Sequence, residues 1–328
     1  MRKTMLSADE TANLIRSGKF LALAADEAIL RQLPAGNWIG GTIPYFVGDQ
    51  GGLQSRALVH VTELAGPDSG ARIIGYTAAS LPGLAGDAPE NGYTVLIIPA
   101  LSPLHLEFAA NAAEYEGIFM TPLVGWISGV HLDDLGKVSP KVANGLTGQV
   151  TENLAVAIHV PLSAGQVGVV RTLNLFHQGH GDVFTFPQDG FTVSHCLVNG
   201  QPANFAHYVQ EHGLDTTRPL VADYHGAQIN VSFQAVDGDK GQVGFYAPVF
   251  AGFEYQHAAP VGDYVQEFDA LVSGSRVQAP FACNCILNYL FGKLEGRKTG
   301  DFTGPITFGE IGYQLLNQTL VYLEIVET

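Results

Sequence analysis

The sequence is poor in positive charge. Its 16 Lys and Arg face 31 Asp and Glu, a formal net charge of −15, and no Lys or Arg occurs between Arg72 and Lys137 or between Arg171 and Arg218. Without a continuous basic face there is nothing to neutralise phosphates, so DNA, RNA and anionic membrane surfaces are not expected partners. Charged residues of all kinds make up only 14% of the chain, against roughly a quarter in ordinary domains. Cysteine is scarce as well. Cys196, Cys283 and Cys285 are too few and too oddly numbered for a disulfide framework, which suits a reducing cytoplasm. The opening residues MRKTMLSADE reach polar side chains at once, without the apolar core of a secretory leader. The uncharged stretch Asn153 to Val170 carries Pro161, Gly165 and Gly168, and its β-branched residues suit strands rather than a spanning helix.

Catalytic signatures are also missing. No Gly-x-Ser-x-Gly elbow occurs; Gly274-Ser275 comes nearest but lacks the second glycine. The glycines at 48, 51 and 52 are interrupted by Asp49, an anion where a phosphate would sit. Hydrolase and nucleotide chemistry therefore have no motif to stand on, and an enzyme is the less favoured class.

What the chain does hold is 46% hydrophobic residues and 39 glycines, the composition of a folded, turn-rich protein with extensive sheet. Ser7 and Glu10 form a capping box that predicts a helix over 8–17. Asp26 opens a second short helix, and Ser102-Pro103 starts a third, in which Leu104, Phe108, Ala112 and Tyr115 recur at helical spacing. Val-, Ile- and Tyr-rich runs predict strands over 37–43, 56–62, 71–78, 93–99, 121–128, 154–161 and 167–176. Residues 181–190 read as a loop. Beyond it come the tight-turn pair Asn199-Gly200, a helix over 205–212 capped by Asn204, a hairpin joining 228–236 to 242–248, a helix over 262–272 and a closing strand over 318–326. Hairpins with occasional helices make an α+β fold, with two β-rich subdomains of mixed or antiparallel sheet flanked by helices, divided as 1–185 and 186–328.

The order of several short segments resembles the FIST (F-box and intracellular signal transduction) sensory domains. In the second half these are Leu197-Val198-Asn199-Gly200-Gln201-Pro202-Ala203 before Tyr208, the glycines and proline Gly244, Pro248 and Gly252, Phe281-Ala282-Cys283, Phe308-Gly309-Glu310-Ile311-Gly312, and Leu316-Asn317-Gln318-Thr319-Leu320. The first half is similar through Ile39-Gly40-Gly41-Thr42. Two departures stand out: Asn284-Cys285-Ile286 follows the cysteine where the family commonly has Gly-Arg, and Ile43-Pro44-Tyr45 replaces its Gly-Glu. The resemblance implies a small-molecule sensory module with no fused output domain, whose signal would pass to a separate signalling protein. It further implies amino acids as ligands in some members and haem in a nitric-oxide-responsive subgroup.

Candidate site residues follow from both readings. In Arg171 to Asp182 a strand would put Arg171, Leu173, Leu175 and His177 on one face, and a guanidinium on an apolar face needs an anion in its fork. Arg171 is therefore either a ligand-carboxylate binder or one half of an internal salt bridge. His177 and His180, spaced by Gln178 and Gly179, are the candidates for a metal or haem iron, with Asp182, Cys283 and Cys285 as further donors. Glu310 is a receiver for a ligand amine or else a turn carboxylate. Thr42 and Cys283 are placed at the pocket by the family resemblance. The expected function is reversible binding of an amino acid or small organic acid in a cleft between the lobes, with a haem- or metal-dependent sensor and an enzyme of unknown reaction as alternatives.

Overall fold

In the computed structural model, residues 3–224, 226–272 and 279–328 are described. Gly274-Ser275 lies outside them. Three six-stranded sheets build the body of an α+β fold. The first runs, in spatial order, Lys3–Leu6, Val59–Ala65, Phe20–Ala25, Trp38–Thr42, Val142–Asn144 and Gln149–Thr151. The second runs Gln314–Leu316, Glu310–Gly312, Leu123–Ser128, Gly92–Pro99, Ala155–Pro161 and Arg72–Tyr76. The third runs Gln166–Leu173, Leu320–Glu327, Phe281–Cys285, Gly304–Thr307, Tyr45–Gly48 and Gly51–Gln54. Each contains one parallel pair: Phe20–Ala25 with Trp38–Thr42, Gly92–Pro99 with Leu123–Ser128, and Phe281–Cys285 with Gly304–Thr307. All three bury side chains in one shared core that includes Ile39, Phe46, Tyr93, Ile97, Trp126, Phe281 and Val321.

A separate lobe occupies Gln178–Ala258. Its six-stranded sheet, which includes Gln178–Thr185, His195–Val198, Leu220–Tyr224, Ala227–Val231 and Tyr255–Ala258, and a three-stranded sheet of Gly190–Val193, Phe233–Asp237 and Gln242–Val249 enclose an aromatic core. Phe184, Phe186, Phe205, Phe233, Phe245 and Tyr255 meet there, several edge to face at 5.2 to 5.4 Å. The division expected at residues 185/186 is corrected by strand pairing. Gln166–Leu173 pairs with Leu320–Glu327, and Glu310–Gly312 with Leu123–Ser128, so the last 48 or so residues complete sheets begun before residue 174. The lobe is an insertion on two linkers, 174–177 and 259–263, held side by side by the Ala259 N–H donating to the His177 carbonyl at 3.0 Å.

The local sequence signals account for most element ends. Ser7 and Glu10 form the reciprocal capping box at the start of helix Ala8–Arg16, Asp26 and Ser102 cap Glu27–Leu30 and Pro103–Asn111, and Asn199 and Gly200 take φ of 49° and 81° in the hairpin turn. The first half of the loop expected at 181–190 is instead strand, the end of Gln178–Thr185, and the loop is confined to 186–189. The strand's pairing with Tyr255–Ala258 slips in register between Gln178 and Val183, a bulge that Gly179 and Gly181 permit and that hides the alternation. The third helix also stops early, at Asn111, and tightens into a 3-10 turn over Ala112–Glu114.

The first and second sheets meet most closely at Gly41. A Cβ there would lie 2.7 Å from Trp126 Nε1 and 2.8 Å from Ile97 Cγ2. Gly41→Ala should therefore cost about 1–3 kcal/mol, the usual penalty of overpacking, read as a lower denaturant midpoint at unchanged m-value.

Candidate functional site

The expected site residues do not converge. Arg171 lies on the edge strand of the third sheet with its side chain 55% exposed, and its Nε donates to Glu324 Oε2 at 3.1 Å. The structural alternative is the one realised: the strand face shared with Leu173 lies at the sheet margin, so the guanidinium reaches water and a neighbouring carboxylate. His177 and His180 are both exposed, and no group of three or more His, Cys, Asp or Glu able to hold a metal is found among the described residues. The three or four donors that a protein-bound metal ion needs are not assembled around them among the described residues.

Thr42 does border a hollow. At the carboxyl end of its strand, Oγ1 donates to the Gly129 carbonyl at 2.7 Å and accepts from Lys141 N at 2.9 Å. It stands in the wall of a crevice of about 370 Å³ with Asp26, Arg31, Arg56 and His131. The carboxyl ends of parallel strands are where such crevices form in open sheets. The crevice's cations bond carboxylates: Arg56 bonds Asp134 at 2.7 Å and Arg31 bonds Glu27 at 2.8 Å, while nearby Lys141 bonds Glu27 at 2.7 Å.

Cys283 and Glu310 come together, but inside the core. Cys283 Sγ donates to the Gly125 carbonyl, and the hollow beside it is only about 10 Å³, room for a single water at most. Burial pushes the thiols of Cys283 and Cys285 up. Protonated, buried thiols are poor nucleophiles. Glu310 is wholly buried; Oε2 accepts from Thr319 N at 3.2 Å and Thr319 Oγ1 at 2.9 Å, and Oε1 from Thr307 Oγ1 at 3.3 Å. With no cation bonded to it, burial carries its carboxyl up to about 8 although these donors oppose the shift. It is a neutral acid at pH 7, facing no open hollow.

The recess that does join lobe to body was not read from the sequence. It measures about 220 Å³ and takes its walls from four places. The lobe supplies Asp215, Thr217 and Arg218, the linkers Phe176 and Pro260 to Gly262, and the body Tyr264, Asn288, Phe291 and Gln318. Arg218 Nε donates to Asp215 Oδ2 at 3.2 Å and Nη1 to the Ala258 carbonyl at 2.7 Å, while Nη2 makes no hydrogen bond among the described residues. Hydrogen bonds from Thr217 and Arg218 hold the Asp215 carboxyl below the usual range. Opposite stands Asn288, 1% exposed. Its Nδ2 is fixed by two acceptors, Asn284 Oδ1 at 2.9 Å and the Thr319 carbonyl at 3.3 Å, which leaves Oδ1 buried with no partner. Such an orphaned acceptor costs about 1–3 kcal/mol unless something donates to it. One sequence signal pointed here: Arg218 is the sole cation between Arg171 and Lys240.

Glu310 gives a pH test of the core. From its ordinary value of 4.5 to its folded value of about 8, the unfolded chain ionises this group and the folded chain does not, so stability falls as pH rises through that window, by up to about 1.4 kcal/mol per unit. Buried His105 and His159, held down to about 4 by burial, act in the opposite sense between about 4 and 6.5. The informative quantity is therefore the difference between wild type and Glu310→Gln in denaturant stability from pH 5 to 8. Wild type should lose ground steadily against the variant; parallel profiles would remove the raised carboxyl.

No curated protein and no solved structure matches the chain. A family model described as a family of unknown function, DUF6976, matches residues 6–326, and over that span, nearly the whole sequence, the chain belongs to this family.

Proposed function

We propose that this protein is a reversible small-molecule-binding module of sensory type, whose guest is a small organic acid or amino acid seated in the recess between lobe and body. The observation that carries the reading is the recess itself, with Arg218 of the lobe and Asn288 of the body both in its wall. The Arg218 guanidinium, paired with Asp215 through Nε, can still give a guest carboxylate a charge-assisted hydrogen bond. At about 220 Å³ the recess has room for more than a single water, enough for a small metabolite. Arg218 thus takes the part that sequence reasoning gave to Arg171. No nucleophile, metal set or activated base faces the recess among the described residues, and binding needs none.

The resemblance to FIST modules supports the sensory part of this reading, with a separate signalling protein receiving the output. Three free, buried thiols favour a reducing cytoplasm. Among the described residues no helix is long and apolar enough to cross a membrane.

Thermal-shift and calorimetric titration with acetate, lactate, L-alanine, L-leucine and L-glutamine, each beside its primary amide, tests the proposal. At a hundredfold excess over Kd a bound acid adds about 2.7 kcal/mol of stability, a readily seen rise in Tm. Arg218→Gln should weaken that acid about 10–100-fold, the worth of a hydrogen bond to a charged group. Amides that bind as tightly as their acids would remove the carboxylate, and a panel that never moves Tm would remove the binding role.

A further inference from the structure

The contacts around the recess concern how the lobe is held as well as what is bound. The lobe leaves and rejoins the body through two adjacent linkers, and its remaining polar attachment is a short buried spine. Ser232 Oγ lies 2.6 Å from both Asn317 Oδ1 and Gln318 Oε1, the Ser232 N–H donates to Asn317 Oδ1 at 3.1 Å, and Asn230 Nδ2 donates to the Asn317 carbonyl at 3.1 Å. Gln318 Nε2 reaches back to the Thr217 carbonyl at 3.0 Å. Gln318 is 2% exposed and has φ of 51°, a left-handed backbone that a non-glycine residue keeps only where its surroundings enforce it.

The rest of the junction mixes apolar contact, Ala247 in the body's second cluster and Ile229 and Tyr246 against the shared core, with open space. Beside the 220 Å³ recess lies a second hollow of about 410 Å³, between Val209, Phe233 and Tyr246 of the lobe and Leu287 of the body, and Phe291 borders both. A lobe on two adjacent linkers, with hollows on the recess side of the junction, can turn about its linkers toward that open space. Arg218 and Asn288 sit on opposite sides of that rotation, one on the lobe and one on the body.

We infer that a guest in the recess acts as a brace between lobe and body, so that occupancy fixes the lobe's angle and the lobe's angle in turn sets affinity. This rests on the binding reading above. A molecule touching both Arg218 and Asn288 has differential contact with the closed and opened arrangements, which is what a ligand needs to shift such an equilibrium. The coupling is reciprocal: whatever loosens the spine must weaken binding by the same factor by which binding tightens the spine. Ser232, which is not among the residues lining the recess, is the place to show it.

The test uses the full chain and whichever of the five acids above raises Tm most. In wild type, saturating acid should slow amide hydrogen exchange in both linkers, 174–177 and 259–263, by about tenfold, while its primary amide at equal concentration does not. In Ser232→Ala, which removes the hydroxyl from the spine, the same acid should bind about 3–10-fold more weakly and the linkers of the free protein should exchange faster. Linker exchange unaffected by bound acid overturns the brace without any variant being needed. Equal affinity in Ser232→Ala, with its fold verified by circular dichroism, overturns it too. Either result leaves the binding reading standing, whereas the binding reading fails on its own terms if no acid of the panel binds wild type.

Discussion

Strand Gln166–Leu173 pairs along its whole length with Leu320–Glu327, residue 166 opposite 327 and residue 173 opposite 320, and that ladder closes the body on itself. Because Leu320–Glu327 also pairs with Phe281–Cys285, it is an interior strand, bonded on both sides. The chain between residues 173 and 264 therefore leaves and returns at nearly one point. An insertion tethered this way must rest against the body wherever surfaces match, and the match here is a mixture of a few buried polar bonds, some apolar contact and two hollows. The recess is a geometrical by-product of that mismatch, lined by whatever side chains the two surfaces and the linkers present.

The polar groups under the junction are continuous with the acid in the core. Gln318, which holds the lobe, is followed by Thr319, whose N–H and hydroxyl bond Glu310 and whose carbonyl accepts from Asn288. A run of Asn, Gln and Thr at positions 317–319, each almost fully buried, thus serves three neighbours at once. Buried networks of this kind are stabilising only when nearly every member is satisfied. Asn284 Nδ2, Asn288 Oδ1 and Asn317 Nδ2 are not, and only Asn288 stands in the wall of the recess.

How much of this was legible varied with the kind of signal. Capped helices and the Asn199-Gly200 turn were readable because a single side chain or a positive φ decides them locally. Phe20–Ala25 was not recognised as a strand: buried on both faces, it has no alternation, and two helices flank it. Short pairs such as Tyr45–Gly48 with Gly51–Gln54 carried too few residues to show a period. For Arg171, strand alternation and the guanidinium's need of an anion left a ligand carboxylate and an internal salt bridge both open, because alternation says which residues share a face and not whether that face is covered. Arg218 and Asn288 lie 70 residues apart and meet only through the insertion, a relation no local pattern encodes. Glu310 was read as a receiver for a ligand amine or else a turn carboxylate; that its environment is packed threonine and thiol, with no open cavity, required coordinates.

The position of Leu320–Glu327 bears on how the protein comes into being. During synthesis the growing chain can complete the lobe's aromatic core, whose contacts all fall within residues 184–255, well before the body has its final strand. The third sheet stays split, with Gln166–Leu173 and Phe281–Cys285 lacking their shared neighbour, until Leu320–Glu327 has been made. Pairings across some 150 positions close slowly, so the body closes later than the lobe it carries.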